Sequence, residues 1–276
     1  MTMRQPTGLC FLLLTLALCV LSRYNNLPRR HYKTVGALQR LYTAYGEDLT
    51  NFRASVRAWA DEVGLHQGIG DIEAEILYMR LRESGRSKPL VVYEMGFGQG
   101  LTTTVILKAL KDNGGGELHT FDLKDQHRRH QQINANGIKW ILHLGDARQT
   151  VKDIVPTPDY IHSDAEHSTD FAHWLVDYLQ SGPAILCSFH DVYTKDSSMS
   201  THVDGSISAE GQVILRYLTS DARVNDVFSV AKSHFDGIYR AVLDMRASAG
   251  LDEDWISTKP AVLNNPSVFF ALGRQR

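Results

Sequence analysis

Acidic residues follow five short apolar runs of the chain, each at the point where the run ends. These residues are Glu94, Asp122, Asp146, Asp164 and Asp191. Their carboxylates can accept hydrogen bonds, hold a cationic group or coordinate a metal ion. Asp and Glu are poor strand formers, and ligands bind beyond the carboxyl ends of the strands in open parallel sheets. The pattern therefore favours a binding crevice.

Three glycines alternate with other residues in the segment VVYEMGFGQGLTT, residues 91–103. Their spacing (Gly96, Gly98, Gly100) departs from the dinucleotide turn G-x-G-x-x-G, and the Gly-Lys-Ser/Thr of a phosphate loop does not follow. Glu94 would face a pyrophosphate unfavourably and suits a cation, such as a sulfonium centre or an amino group. The segment predicts a pocket for a positively charged ligand, with a nucleotide-dependent oxidoreductase as the alternative.

Two histidines lie beside the last two acids. His167 follows Asp164 by three residues, and His190 directly precedes Asp191. An imidazole with a pKa near 6.5 suits the removal of a hydroxyl proton at neutral pH. We therefore predict a general base here, with His167 as the first candidate and His190 as the other; the sequence does not separate them. His162 lies deeper in the strand that ends at Asp164, which favours a structural role.

Short β-rich runs alternate with helical patterns from residue 88 onward. This alternation predicts right-handed βαβ units and a doubly wound, mostly parallel sheet with helices on both faces. Ahead of it, apolar residues at helical spacing over 33–62 and an N-capped pattern over 70–84 predict an N-terminal helical cap. The predicted strands span 89–95, 116–123, 137–144, 158–164, 182–191, 223–231 and 266–273, and a late helix spans 237–247.

The chain begins with an uncharged apolar run, GLCFLLLTLALCVL, at residues 8–21. It is shorter than the roughly 20 residues of a comfortable membrane span, so it indicates a signal peptide or a short signal anchor. Basic residues favour its downstream flank, which would keep an anchored domain on the cytosolic side. We predict a membrane-associated chain or one in the secretory pathway, divided into 1–30 (signal peptide or anchor with linker), 31–85 (helical cap) and 86–276 (sheet domain).

Composition argues against several classes of protein and site. The 276 residues carry a net charge of −2, which argues against a general nucleic-acid binder, and the basic run 127–130 is interpreted as a solvated helix face. Cys187 is the only cysteine outside the N-terminal run, so neither a disulfide framework nor a cysteine zinc site is available. The polar segment 194–208 would overhang the predicted crevice as a substrate lid, or it is a plain surface loop.

The glycine segment resembles the first motif of class I S-adenosylmethionine-dependent methyltransferases, an acid-x-Gly-x-Gly-x-Gly turn after the first strand. Asp122 stands where that family has the acid for the ribose hydroxyls, and the segment 145–147 (GDA) matches the one that contacts the adenine. More narrowly, GDIEAEILYMRL, DYIHSDAEHSTDF and SFHDV are similar to a subfamily of small-molecule O-methyltransferases. Its members carry an Asp-x-x-His stretch after strand four and a His-Asp or Asp-Asp pair after strand five. The resemblance covers residues 70–192.

The resemblance implies a Rossmann-like fold with a seven-stranded sheet and S-adenosylmethionine as the cofactor. The glycine backbone would approach the methionine part of the cofactor, with Glu94 near its ammonium group. Asp122 would accept hydrogen bonds from the ribose, and Asp146 would meet the adenine amino group. The expected cofactor residues are Glu94, Gly96, Gly98, Gly100, Asp122, Asp146 and Ala147.

Related O-methyltransferases hold a divalent metal with acids at the ends of strands four and five. The resemblance thus implies that Asp164 and Asp191, with or without His190, bind Mg²⁺ or another divalent ion, which would gather the substrate hydroxyl. The His190-Asp191 pair differs from the Asp-Asp pair of that subfamily, so the resemblance does not decide whether a metal binds here. We expect O-methylation of a small-molecule hydroxyl, with an NAD(P)-type Rossmann oxidoreductase and a non-catalytic methyltransferase-fold protein as the alternatives.

Overall fold

The computed structural model describes residues 29–63, 69–124, 137–154, 156–182, 185–192, 209–230, 232–251, 255 and 267–273. Within these ranges the helices are α1 (Arg29–Val63), α2 (Asp71–Ser84), α3 (Leu101–Asp112), α4 (Ala147–Thr150), α5 (Thr169–Ser181), α6 (Ala209–Ser220) and α7 (Lys232–Ser248). The strands are β1 (Leu90–Met95), β2 (Gly116–Asp122), β3 (Ile138–Leu144), β4 (Tyr160–Ser163), β5 (Ile185–Phe189), β6 (Val224–Ser229) and β7 (Val268–Leu272).

The strands form one seven-stranded sheet in the order β3-β2-β1-β4-β5-β7-β6. Strand β1 pairs in parallel with both β2 and β4, whereas β7 runs antiparallel to its neighbours β5 and β6. The strand order therefore reverses beside β1, where ligands bind in doubly wound sheets. The predicted Rossmann-like, mostly parallel fold is confirmed.

Hydrophobic cores lie on both faces of the sheet, as the composition of β1 indicates. Its sequence LVVYEM is buried almost throughout, which is typical of a parallel strand covered on both sides. Successive side chains of a strand point to opposite faces. Val92 accordingly joins the core shared with α1, α2 and α3, while Tyr93 and Met95 join the core shared with α5 and α6.

Helix α1 presents one apolar face to the protein. We expected core-facing helices over 33–62, and the segment forms a single helix whose buried residues recur every three or four positions. These residues share a core with α2 and α7. The division into a helical cap (31–85) and a sheet domain (86–276) stays a prediction. The buried residues of this face are Leu38, Tyr42, Tyr45, Leu49, Phe52 and Val56.

The predicted membrane association is corrected. Across the part of the chain that the structure describes, none of the helices is both long enough and apolar enough to cross a membrane. This finding overturns the expected anchored or secretory location, and the apolar run 8–21 that suggested it lies outside the described residues. The predicted lid (194–208) and the basic run (127–130) lie outside them as well.

Candidate functional site

A cavity of about 350 Å³ opens at the carboxyl ends of the strands around β1. Five of the predicted cofactor residues line it: Gly96, Gly98, Asp122, Asp146 and Ala147. Asp164, predicted as a metal ligand, lines it too. A larger groove of about 390 Å³, between α1, α2 and the strands β5 and β6, contains none of the predicted site residues.

The glycine turn combines a packing requirement with open space beside the cavity. Gly96, Gly98 and Gly100 all have positive φ, at 90°, 53° and 88°, a region that costs other residues energy. A Cβ on Gly96 would lie 2.0 Å from the backbone oxygen of Asp164, whereas a Cβ on Gly98 would meet nothing within 4 Å. Gly96 is therefore needed for the two loops to pack, and Gly98 leaves room for a ligand against the backbone.

Asp122 connects the end of β2 to the glycine turn. Its Oδ2 accepts hydrogen bonds from the N–H groups of Phe97 at 2.9 Å and Gly98 at 3.3 Å. Its Oδ1 accepts one from the N–H of Lys124 at 2.8 Å. Each carboxylate oxygen offers a second lone pair. Asp122 can therefore hold the turn and still accept hydroxyl groups from a ligand in the cavity.

Asp146 begins the short helix α4. Its side chain accepts a hydrogen bond from the N–H of Arg148 and pairs with the guanidinium of that residue at 2.9 Å. The hydrogen bond from Arg148 lowers the pKa of the Asp146 carboxyl. Arg148 also contacts Glu166 at 3.1 Å, which joins the two loops beside the cavity. Asp146 is thus an ionised N-cap that forms part of the cavity wall.

Glu94 lies beneath the glycine turn and does not line the cavity. Its Oε2 accepts hydrogen bonds from the hydroxyls of Thr103 at 2.7 Å and Thr120 at 2.8 Å, while Oε1 has no hydrogen-bond partner among the described residues. Burial raises the pKa of this carboxyl to about 8. The side chain is therefore largely neutral at pH 7 and would ionise if a cation came close.

A second group of side chains lies at the ends of β4 and β5. Asp164, His190 and Asp191 each offer an atom, all within 4.8 Å of one another, in an arrangement that could hold a metal ion. His190 Nδ1 lies 3.0 Å from Asp191 Oδ1 and 3.4 Å from Asp164 Oδ1. Burial alone lowers the pKa of His190, but the Asp191 and Asp164 carboxylates outweigh it and hold that pKa well above its ordinary value.

His167 joins this group from the loop before α5. Its Nδ1 lies 3.0 Å from Glu210 Oε2, and its Nε2 lies 3.1 Å from Asp191 Oδ2. Burial opposes the charged imidazole, but the hydrogen bond to Glu210 and the charge of Asp191 raise the pKa of His167 above its ordinary value. Because a carboxylate can only accept, the contact with Glu210 requires a proton on Nδ1.

Two glutamates at the site escaped the sequence analysis. Glu210 lies in the first turn of α6 and is 3% exposed, and Glu73 lies in the first turn of α2 and is 1% exposed. Glu73 Oε2 lies 3.8 Å from His190 Nε2. An acid in the first turn of a helix is ordinarily explained by the helix dipole, so neither residue stood out. His162, by contrast, lies within the core, where burial lowers its pKa to about 4.

The doubly wound sheet, the glycine turn and the acids at the strand ends define the class of protein as a Rossmann-like methyltransferase fold. Residues 93–192 match the family model of a methyltransferase domain. The prediction of a methyltransferase domain is therefore confirmed for this part of the chain.

Solved structures support the same fold at low sequence identity. A candidate O-methyltransferase from Klebsiella pneumoniae is 14% identical, with a TM-score of 0.50, over 86% of this chain and 100% of that one. The O-methyltransferase TomG from Streptomyces achromogenes, involved in tomaymycin synthesis and solved with S-adenosylmethionine, is 14% identical with a TM-score of 0.50, over 81% and 90% of the two chains. No curated protein sequence matches this chain.

Proposed function

We propose that this protein transfers a methyl group from S-adenosylmethionine to a hydroxyl group of a small molecule. The observation that carries the proposal is the position of Asp164, which lines the cofactor cavity. The same carboxylate lies 3.8 Å from His167 Nε2 and 3.4 Å from His190 Nδ1. A site for the methyl donor and a pair of candidate proton acceptors are therefore adjacent.

The residues around the cavity fit S-adenosylmethionine. The space beside Gly98 admits the methionine part against the backbone, and Asp122 keeps lone pairs for the ribose hydroxyls. The fully buried carboxyl of Glu94, whose Oε1 has no hydrogen-bond partner in the described part of the chain, can ionise and compensate the positive charge of the ligand. Asp146, with the backbone of Ala147, would meet the adenine end. Gly96 and Gly100 shape the turn.

His167 is the group we assign as the general base. Glu210 fixes a proton on Nδ1, so the neutral imidazole would take the proton of the substrate hydroxyl on Nε2, and the Asp191 carboxylate 3.1 Å away would stabilise the imidazolium that forms. The substrate oxygen then bonds to the methyl carbon, the bond from that carbon to sulfur breaks, and the electron pair stays on sulfur. His190 lies deeper, at 6% exposure, which favours a supporting role over direct proton transfer.

The group of Asp164, His190 and Asp191 also fits a divalent metal. Its donor atoms lie close enough to share one ion, and carboxylates are ligands that Mg²⁺ and related cations prefer. A bound ion would lower the pKa of a substrate hydroxyl and orient it. Asp164 and Asp191 are the ligands we propose, with His190 beside them.

Methyl transfer is tested by incubating the purified protein with S-adenosylmethionine and a panel of polyhydroxylated and phenolic compounds, and measuring S-adenosylhomocysteine. His167→Gln should lower the rate by about 10²- to 10⁴-fold, the usual contribution of a general base. His173→Gln is the matched control, because His173 is exposed on α5. Calorimetric titration that shows binding of NAD but not of S-adenosylmethionine would contradict the proposal, as would methylation of amines alone.

A further inference from the structure

The imidazole of His190 is the least explained polar group of the candidate site. It is 6% exposed, and neither of its ring nitrogens has a hydrogen-bond partner in the described part of the chain. Buried polar groups are nearly always paired; here the Asp191 and Asp164 carboxylates supply ion pairs with Nδ1 and no well-aligned hydrogen bond, an arrangement that a cation shared by the three groups would complete. The nearest polar atoms are carboxylate oxygens of Asp191 and Asp164, both beside Nδ1.

Glu73 lies on the other side of the ring. It reaches the site from α2, outside the methyltransferase family match, and its Oε1 accepts a hydrogen bond from the backbone N–H of Ser267. Its Oε2 is 3.8 Å from His190 Nε2, longer than a hydrogen bond and close enough for a small side-chain rotation to form one. Histidines that bind metals commonly donate their second N–H to a carboxylate, which fixes the ring and selects the ligating nitrogen.

The backbone of Asp191 also favours a functional arrangement. This residue has φ of 59°, a region that non-glycine residues seldom adopt and that clusters at functional sites. The conformation brings its carboxylate beside both His190 and His167. The carboxylates of Asp164 and Asp191 and Nδ1 of His190 thus lie close enough to share one ion, and Glu73 lies on the Nε2 side of the imidazole.

We infer that His190 is a metal ligand through Nδ1, held by Glu73, and that this site binds a first-row transition ion such as Mn²⁺ more tightly than Mg²⁺. Mg²⁺ prefers an all-oxygen shell, whereas imidazole nitrogen suits transition ions. The inference rests on the proposed function for the location of the metal. It goes further in making Glu73 a positioning residue and in predicting which metal the site selects.

The first test uses the wild-type protein freed of metal and loaded with Mn²⁺. Pulsed electron paramagnetic resonance should show coupling of the bound Mn²⁺ to a nitrogen nucleus, and displacement of Mn²⁺ should require at least about tenfold more Mg²⁺. Absence of the nitrogen coupling, equal affinity for the two ions, or no binding of Mn²⁺ would each overturn the inference. This measurement needs no variant to fold and no substrate.

Two substitutions test the parts of the arrangement. His190→Asp makes the ligands all oxygen and should lower the preference for Mn²⁺ over Mg²⁺ by about tenfold, while Glu73→Gln should weaken Mn²⁺ binding by about tenfold or more. His173→Asp, on the exposed face of α5, is the matched control and should leave both unchanged. An unchanged preference in a folded His190→Asp protein would overturn the inference.

Titration of the same samples with S-adenosylmethionine separates this inference from the proposed function. If the protein binds the cofactor but shows no preference for Mn²⁺, the proposed methyl transfer remains supported and the assignment of His190 as a metal ligand is contradicted. If the protein does not bind the cofactor but its bound Mn²⁺ is coupled to nitrogen, the proposed function is contradicted and the metal site is supported.

Discussion

Glu94 shows how the environment of one side chain changes its chemistry. The sequence predicted a carboxylate near a cation, and the structure shows a fully buried acid with one oxygen that has no hydrogen-bond partner among the described residues and a pKa raised by burial to about 8. In the absence of a ligand the proton is retained at neutral pH. A cationic ligand nearby favours the ionised form, so the proposed binding of S-adenosylmethionine would be linked to proton release from Glu94.

We expect the affinity for S-adenosylmethionine to rise with pH up to about 8 and then to level off. Glu94→Gln should weaken binding by about tenfold at pH 8, the effect of one pKa unit of interaction, and should flatten the pH dependence. Calorimetry between pH 6 and pH 9 measures both. A Gln variant that retains the wild-type slope would show that another group is responsible.

The raised pKa of Glu94 also affects the stability of the fold, which should fall as the pH rises, whereas the affinity for the cofactor should rise. A buried acid whose folded pKa is raised stabilises the fold fully only below its unfolded pKa near 4.3, and this contribution is lost as pH rises through about 8. Without cofactor, the Gln variant should therefore lose less stability than the wild type between pH 6 and pH 8. Urea unfolding at the two pH values is the measurement.

Glu210 should affect catalysis through His167, because the two side chains meet at 3.0 Å. Glu210→Gln is expected to lower kcat by about 10- to 100-fold, less than the roughly 10²- to 10⁴-fold loss of the general base itself, with little change in cofactor affinity. The double variant His167→Gln, Glu210→Gln should be no slower than His167→Gln alone, since residues that act as a unit are not additive. Multiplicative losses would mean that Glu210 acts independently of the histidine.

At the scale of elements, the turn between β1 and α3 shapes the candidate cofactor site through backbone geometry. Three positive φ angles within five residues turn the chain tightly, and the N–H groups of Phe97 and Gly98 are held by Asp122 from the neighbouring strand. The turn is therefore fixed by β2 before any ligand binds. Gly96 and Gly98 have different structural roles, which alanine substitutions can separate.

Gly96→Ala should destabilise the fold, because its Cβ would lie 2.0 Å from the backbone oxygen of Asp164. Gly98→Ala meets no such contact and should cost about 1–2 kcal/mol of unfolding free energy from its left-handed conformation alone. Its larger effect should be on S-adenosylmethionine binding, because the methyl group enters the space beside the cavity. Chemical denaturation and calorimetry on both variants would contradict this division if Gly98→Ala bound the cofactor normally.

At the scale of the whole molecule, the sequence predicted the sheet, its strands and the rim of acids, because hydrophobic periodicity and strand-end residues are local signals. It could not predict that Glu73 and Glu210 reach the histidines, because 117 residues separate Glu73 from His190 and 43 separate His167 from Glu210. Such pairings depend on how α2 and α6 pack on the sheet. The apolar run 8–21 led to the opposite kind of error: a local signal, its hydropathy, predicted a membrane anchor that the described residues do not support.

Helix α2 links the candidate site to the rest of the molecule. Glu73 approaches His190, while Glu75, two residues on, is fully buried against Arg53 of α1 and Arg246 of α7 and accepts a hydrogen bond from the indole of Trp255. Removing one member of a buried ionic group leaves the other charges unpaired, which is strongly destabilising.

Glu75→Gln should therefore lower the free energy of unfolding by about 3 kcal/mol, a loss typical of a broken buried ion pair. Hydrogen exchange should increase in α1 and α7 together, because one carboxylate joins both helices to α2. Glu62→Gln, at an exposed position of α1, is the matched control and should change neither quantity. If exchange rises only in α1, the carboxylate does not connect the helices, and α2 holds the site without support from α7.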